Sequence, residues 1–253
     1  MNQPDINRVP HIILLYWVIK IASTTLGETG ADMFSMTFEL GYGTTISLFM
    51  IIFIGLLGIK LALRRYEPAS YWLTFTASAI VGTAISDYID RTLELGYLTG
   101  SAVLLCLLLV ILLVWYLKEK SLSVESITTA SAECFYWLAF LVANTLGTAL
   151  GDYLADSLEL GFMVSAGLIT GLLILTALLH FYTRVSTITL FWIAFVLTRP
   201  FGATFGDLLT KSQEAGGLGL GTIGTSLFFA VAMGIALYQE IKIEKTRKFN
   251  QLF

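Results

Sequence analysis

The chain has 253 residues, 56% of them hydrophobic and only 13% charged. A water-soluble domain carries about 25% charged residues, and the surface needing polar cover grows with chain length, so this composition excludes a soluble globule and leaves lipid as the solvent. The net charge of −3, with no basic stripe, excludes a nucleic-acid-binding surface.

Residues 1–10 are polar, and no cleavable secretory signal is evident before the first apolar stretch. Four runs of about 20 apolar residues follow, at 43–63, 98–117, 162–181 and 218–238, each long enough to cross a hydrocarbon core of about 30 Å. Ahead of each run stands a more mixed helical stretch that opens on an aromatic pair: Tyr16-Trp17, Tyr71-Trp72, Tyr136-Trp137 and Phe191-Trp192. The sum is an all-α membrane protein of eight transmembrane helices.

Those aromatic pairs begin an internal repeat. Ten residues after each tryptophan stands a glycine (Gly27, Gly82, Gly147, Gly202), and fifteen after it an aspartate (Asp32, Asp87, Asp152, Asp207). Twenty-two after stands a glutamate (Glu39, Glu94, Glu159, Glu214), and twenty-four after a second glycine (Gly41, Gly96, Gly161, Gly216). The tryptophans are 55, 65 and 55 residues apart, so repeats 1 and 2 map onto repeats 3 and 4. The chain divides into a first half, 1–120, a polar cytoplasmic linker, 121–133, and a second half, 134–253, that ends in a basic tail. Each repeat has an even number of spans, so all four point the same way and symmetry is parallel.

Lys60, Arg64, Arg65, Lys118, Lys120, Arg184, Lys242, Lys245, Arg247 and Lys248, with Arg8, gather at one set of helix ends. By the positive-inside rule these ends and both termini are cytoplasmic, and the protein is a multi-pass inner-membrane protein. Cys106 and Cys134 lie in or beside apolar runs and read as small buried hydrophobes. His11 and His180 read as surface residues at helix ends.

The arrangement resembles a bacterial family of integral membrane proteins with four tandem repeats of unknown function. Each repeat of that family holds two membrane segments and a characteristic tryptophan, here Trp17, Trp72, Trp137 and Trp192. The resemblance covers residues 16–240 and implies the architecture and no activity.

Function is argued from the charges. Continued as helices, the repeats carry acidic stripes: Glu28, Asp32 and Glu39; Asp87, Asp90 and Glu94; Asp152, Asp156 and Glu159; Asp207 and Glu214. Carboxylates in a membrane face a bundle interior or a water path. The aspartates are therefore candidate ligands, and the glutamates read as a solvated outer rim. An all-oxygen set suits a hard divalent cation such as Mn²⁺, Mg²⁺ or Ca²⁺. Repeats 2 and 4 insert Arg91 and Lys211 four residues after the aspartate, where an internal pair forms. Asp32 and Asp152, with Glu28 and Asp156 beside them, are thus the leading metal ligands, and Asp87 and Asp207 join them as cation-binding or counter-charge groups. Lys20 and Arg199 lie deeper and serve as counter-charge or coupling groups. Pro200 is expected to kink or break its helix, and the glycines are expected at helix contacts.

The leading expectation is a secondary transporter of a small divalent cation, coupled to protons. No cofactor is implied, and no Ser-His constellation points to an enzyme. The rival readings are an anion or organic-solute transporter or channel built on Lys20 and Arg199, and a non-transporting membrane sensor or assembly protein.

Overall fold

The computed structural model describes residues 8–124 and 127–250, with side chains as far as Arg247. Expectations that fell on residues 1–7, on Glu125 and Ser126 of the linker, on the Lys248 side chain and on the last three residues lie outside the described residues. Eight α-helices run α1 (Leu14–Asp32), α2 (Gly41–Leu63), α3 (Pro68–Asp87), α4 (Tyr97–Glu119), α5 (Ala130–Asp152), α6 (Gly161–Tyr182), α7 (Thr187–Thr210) and α8 (Thr222–Asn250). No strand occurs among the described residues.

The corner of each repeat explains its invariant residues. In the first three repeats a single π-helical turn follows the aspartate: Met33–Thr37, Tyr88–Thr92 and Tyr153–Ser157. The chain then reverses through Glu39, Glu94 and Glu159, at φ 56°, 54° and 55°, and through Gly41, Gly96 and Gly161, at φ 72°, 77° and 70°. That left-handed backbone is easy for glycine and unusual for glutamate. The glutamate side chains stand exposed at the rim, as expected for a solvated acidic surface. Repeat 4 turns differently: Lys211 leaves α7 extended, and Gln213–Ala215 forms a short 3₁₀ turn ahead of α8.

Helices α1, α3, α5 and α7 pack side by side in a closed ring, each against the next and α7 back against α1. The second helix of each repeat does not lie chiefly on its own first helix. It covers the first helix of the following repeat: α2 on α3, α4 on α5, α6 on α7, and α8 on α1. The result is four inner helices inside four outer ones with pseudo-fourfold symmetry. The outer helices turn large apolar side chains such as Leu98, Ile51 and Phe228 outward, which is the surface a bilayer requires.

Glycine sets the inner seams. The repeat glycine of one inner helix meets the residue three positions before the repeat glycine of the next. A Cβ on Gly27 would stand 2.5 Å from the Ala79 Cβ, one on Gly82 2.8 Å from the Asn144 Cβ, and one on Gly202 2.7 Å from Thr24 Oγ1. A Cβ on Gly147 would overlap the Arg199 side chain. All four expected packing positions thus sit at one recurring contact, and small residues let these backbones approach.

Six of the eight helices are long and apolar enough to cross a membrane on composition alone. The other two, α1 and α3, sit in the ring, where α8 and α2 cover them. Three expectations need correction. Cys106 and Cys134 are free and exposed, because both face away from the ring. Helix α5 begins at Ala130, capped by Thr129 Oγ1 on the Ala132 amide at 3.0 Å, so the last residues of the expected linker are helical. Of the kink or break expected at Pro200, the break does not occur: helix α7 runs on through it, with Pro200 beside Gly147 at the seam with α5.

Candidate functional site

The ring surrounds one axis, and a stripe of every fourth residue on each inner helix faces it. On α1 the stripe reads Tyr16, Lys20, Thr24, Glu28, Asp32; on α3, Tyr71, Phe75, Ala79, Thr83, Asp87; on α5, Tyr136, Phe140, Asn144, Thr148, Asp152; on α7, Phe191, Phe195, Arg199, Ala203, Asp207. The helices are in register, so these positions form five stacked layers about 6 Å apart, running from the basic end of the bundle to the acidic end. All of these residues except Ala79 and Ala203, which are also buried, are large or polar, and they fill the axis.

The aspartate layer is buried although it lies near the acidic end: each of the four is 3% exposed. The aspartates are electrostatic neighbours, Asp87 of Asp32 and Asp207, and Asp152 of Asp87 and Asp207. Lys211 clasps two of them, with Nζ 2.6 Å from Asp32 Oδ2 and 3.2 Å from Asp207 Oδ1. Arg91 Nε lies 3.4 Å from Asp87 Oδ1. Asp152 has no ion pair among the described residues, and its buried Oδ2 has no hydrogen-bond donor. Tyr42 and Tyr97 stand half-buried beside this layer.

One layer deeper, Glu28 Oε2 accepts from Thr83 Oγ1 at 3.1 Å and Thr148 Oγ1 at 3.3 Å and pairs with Arg199 at 3.4 Å. Arg199 crosses the axis. It donates to the Thr24 carbonyl at 3.1 Å, to the Ala79 carbonyl at 3.2 Å and to the Thr83 hydroxyl. Asn144 Nδ2 donates to Ser78 Oγ at 3.0 Å in the same region. The next layer holds Lys20 among three phenyl rings, and the last joins the Tyr71 and Tyr136 hydroxyls at 2.5 Å.

The structure therefore gathers Asp32, Asp87, Asp152, Asp207 and Glu28 on the axis, with Arg91, Lys211 and Arg199 against them. Asp156, expected among the ligands, is exposed on the π turn and points away from the axis, because the wider turn after Asp152 rotates the following residues outward. Asp32 is not the base-free acid its own repeat suggests, since Lys211 reaches it from across the ring. Asp90 turns toward Gly100 of α4. His11 and His180 are exposed, as expected.

The tryptophans pack rather than line the axis: Trp72 and Trp137 are fully buried, Trp17 and Trp192 partly so. Trp72 Nε1 donates to Glu240 at 2.6 Å, and Trp192 Nε1 to the Leu122 carbonyl at 3.1 Å. Sequence reasoning missed Thr83, Thr148 and the three phenylalanines around Lys20. The signal was present, because aligning the four repeats and reading every fourth residue back from the aspartate returns all of them. It also missed a basic-end cluster, where buried Glu133 pairs with Lys60 at 2.8 Å and Arg8 at 2.9 Å.

A closed ring of two-helix repeats around a charged, side-chain-filled axis defines a polytopic helical membrane protein with tandem internal symmetry. A family model described as Repeat of Unknown Function (DUF347) matches residues 15–66, 70–121, 135–186 and 190–246, and the chain belongs to that family. No curated protein and no solved structure matches the chain.

Proposed function

We propose that this membrane protein is a secondary transporter of a small divalent cation, which exchanges for protons on the aspartate layer. The charge balance of the two carboxylate layers supports this reading. Five carboxylates, Asp32, Asp87, Asp152, Asp207 and Glu28, meet three bases, Arg91, Lys211 and Arg199. Two negative charges are left over in a region shielded from water, where uncompensated charge is costly. One dication or two protons neutralise them, and exchange of one for the other is electroneutral. The observation that carries the reading is Asp152, a buried carboxylate with an unpartnered oxygen and no base of its own. Oxygen ligands of this kind suit Mn²⁺, Mg²⁺ or Ca²⁺. Lys211 and Arg91, partly exposed above the layer, flank the entry of an arriving cation and keep their charges on the layer. The concentration of basic residues at the opposite end supports an orientation with that end and both termini in the cytoplasm.

The test is metal flux into proteoliposomes, screened with Mn²⁺, Mg²⁺ and Ca²⁺ under an imposed pH gradient. Wild-type protein moves at least one of them, and Asp152→Asn abolishes that movement while eluting as a folded species. Equal flux through Asp152→Asn, or none through wild type, refutes the proposal.

A further inference from the structure

Among the described residues the axis carries one amine, and cation binding does not use it. Lys20 is fully buried. Its Nζ lies 3.6 Å from the Phe195 ring centroid, 5.2 Å from Phe75 and 5.4 Å from Phe140, and it donates to the Phe195 carbonyl at 3.1 Å. No carboxylate pairs with it among the described residues. The charged group it senses is Arg199 of α7. Helices α3 and α5 face it with phenyl rings, and α8 presents Met233 to its neighbour Ser23. On its own helix, Tyr16 stands one layer toward the basic end and Glu28 two layers toward the acidic end.

The three other repeats place phenylalanine at this position. A layer needed only for packing would be served by a fourth apolar side chain, and an ammonium among phenyl rings carries a desolvation cost that packing does not require. The neighbouring layers hold proton-passing groups on both sides. Toward the acidic end lie the Ser23, Thr24, Ser78 and Thr198 hydroxyls and then Glu28 with Thr83 and Thr148. Toward the basic end, Tyr71 and Tyr136 share a hydrogen bond at 2.5 Å, and Tyr66 donates to Glu240 at 2.5 Å.

We infer that Lys20 is a proton carrier, which links the carboxylate layers to the tyrosine layer and so moves protons along the axis of the ring. Its flexible four-carbon stem lets Nζ reach layers about 6 Å to either side. The neutral amine takes a proton from the Glu28 side through the intervening hydroxyls. The ammonium then gives a proton to a tyrosine oxygen as that phenol releases its own hydroxyl proton toward the basic end. Each passage moves one proton and leaves every group as it began. The inference rests on the proposed exchange only for what drives the proton.

The experiment uses full-length protein in vesicles loaded with a pH-sensitive dye, with proton entry driven by a valinomycin-imposed potassium potential, with and without external Mn²⁺. Wild type admits protons in at least one condition. Lys20→Met and Lys20→Arg each slow entry by about a hundredfold, with both variants eluting as folded species and with unchanged Mn²⁺ binding in detergent. Lys20→Arg is decisive, because arginine keeps the charge but does not give up a proton. Wild-type rates in Lys20→Arg, or no entry above protein-free vesicles in either condition, overturn the inference. The Asp152→Asn metal assay fails or succeeds separately, so the two claims are distinguishable.

Discussion

Replacing Gly27 with alanine tests the ring directly. The new Cβ would stand 2.5 Å from the Ala79 Cβ and 3.1 Å from the Ala79 carbonyl carbon. Neither neighbour is the end of a flexible side chain, so α1 and α3 must separate. Overpacking of this kind costs about 1–3 kcal/mol, and the rigid neighbour puts Gly27→Ala at the upper end. Alanine's better helix propensity returns up to about 1 kcal/mol. The net loss of about 2 kcal/mol corresponds to a fall of about 4–8 °C in melting midpoint for a chain of this size. The control is Gly171→Ala on α6, where nothing lies within 4 Å of the added carbon, and the midpoint there holds or rises. Thermal unfolding in detergent reads both. An unchanged midpoint in Gly27→Ala would mean that α1 and α3 do not meet at this seam, and the closed ring would go with it.

Arg199→Met leaves Glu28 buried with only two threonine donors, and the expected loss is about 3–5 kcal/mol in unfolding free energy. Adding Glu28→Gln should restore much of it, which a double-mutant cycle measures. Lys211→Met frees Asp32 and Asp207, so Mn²⁺ binding to the purified protein, followed by calorimetry, should tighten by about tenfold; weaker binding would place the metal elsewhere. Glu133→Gln strands the buried Lys60 ammonium, with an expected cost of about 3 kcal/mol and faster proteolysis near Val9. In a cysteine-free background, single cysteines beside Glu94 and Glu159 should react with an impermeant maleimide added outside cells, and ones beside Arg65 and Lys120 only after permeabilisation. The reverse pattern would invert the orientation.

The repeat was readable because its glycine, aspartate, glutamate and tryptophan are the same in all four copies, although the corner of the fourth is built differently. The depth split between aspartate and glutamate was half-readable. Both fall on one helical stripe, but the π turn and the left-handed corner that send the glutamates outward follow from backbone geometry and not from charge spacing. The axial layers were harder to see because their residue types change from copy to copy, as in Thr24, Ala79, Asn144 and Arg199. Only the register between helices shows that these share a level. The Lys211–Asp32 pair joins residues 179 apart in sequence, and no local pattern announces it. The placement of the outer helices was hidden for a different reason. They are apolar on nearly every side, so nothing in their own sequence says which inner helix they cover.

The way each outer helix shields the next repeat has a consequence for synthesis. As the chain leaves the ribosome, α3, α5 and α7 each arrive after the helix that will cover them. Helix α1 is the exception: it is made ahead of the other seven, carries the Ser23 and Thr29 hydroxyls on its outer side, and waits for α8, the last of the eight, to cover them. A protein truncated before α8 would leave those hydroxyls facing lipid without Met233 and Ser226, a costly exposure. Such fragments should be targets for membrane quality control, so the cell can recognise an unfinished copy by its oldest helix.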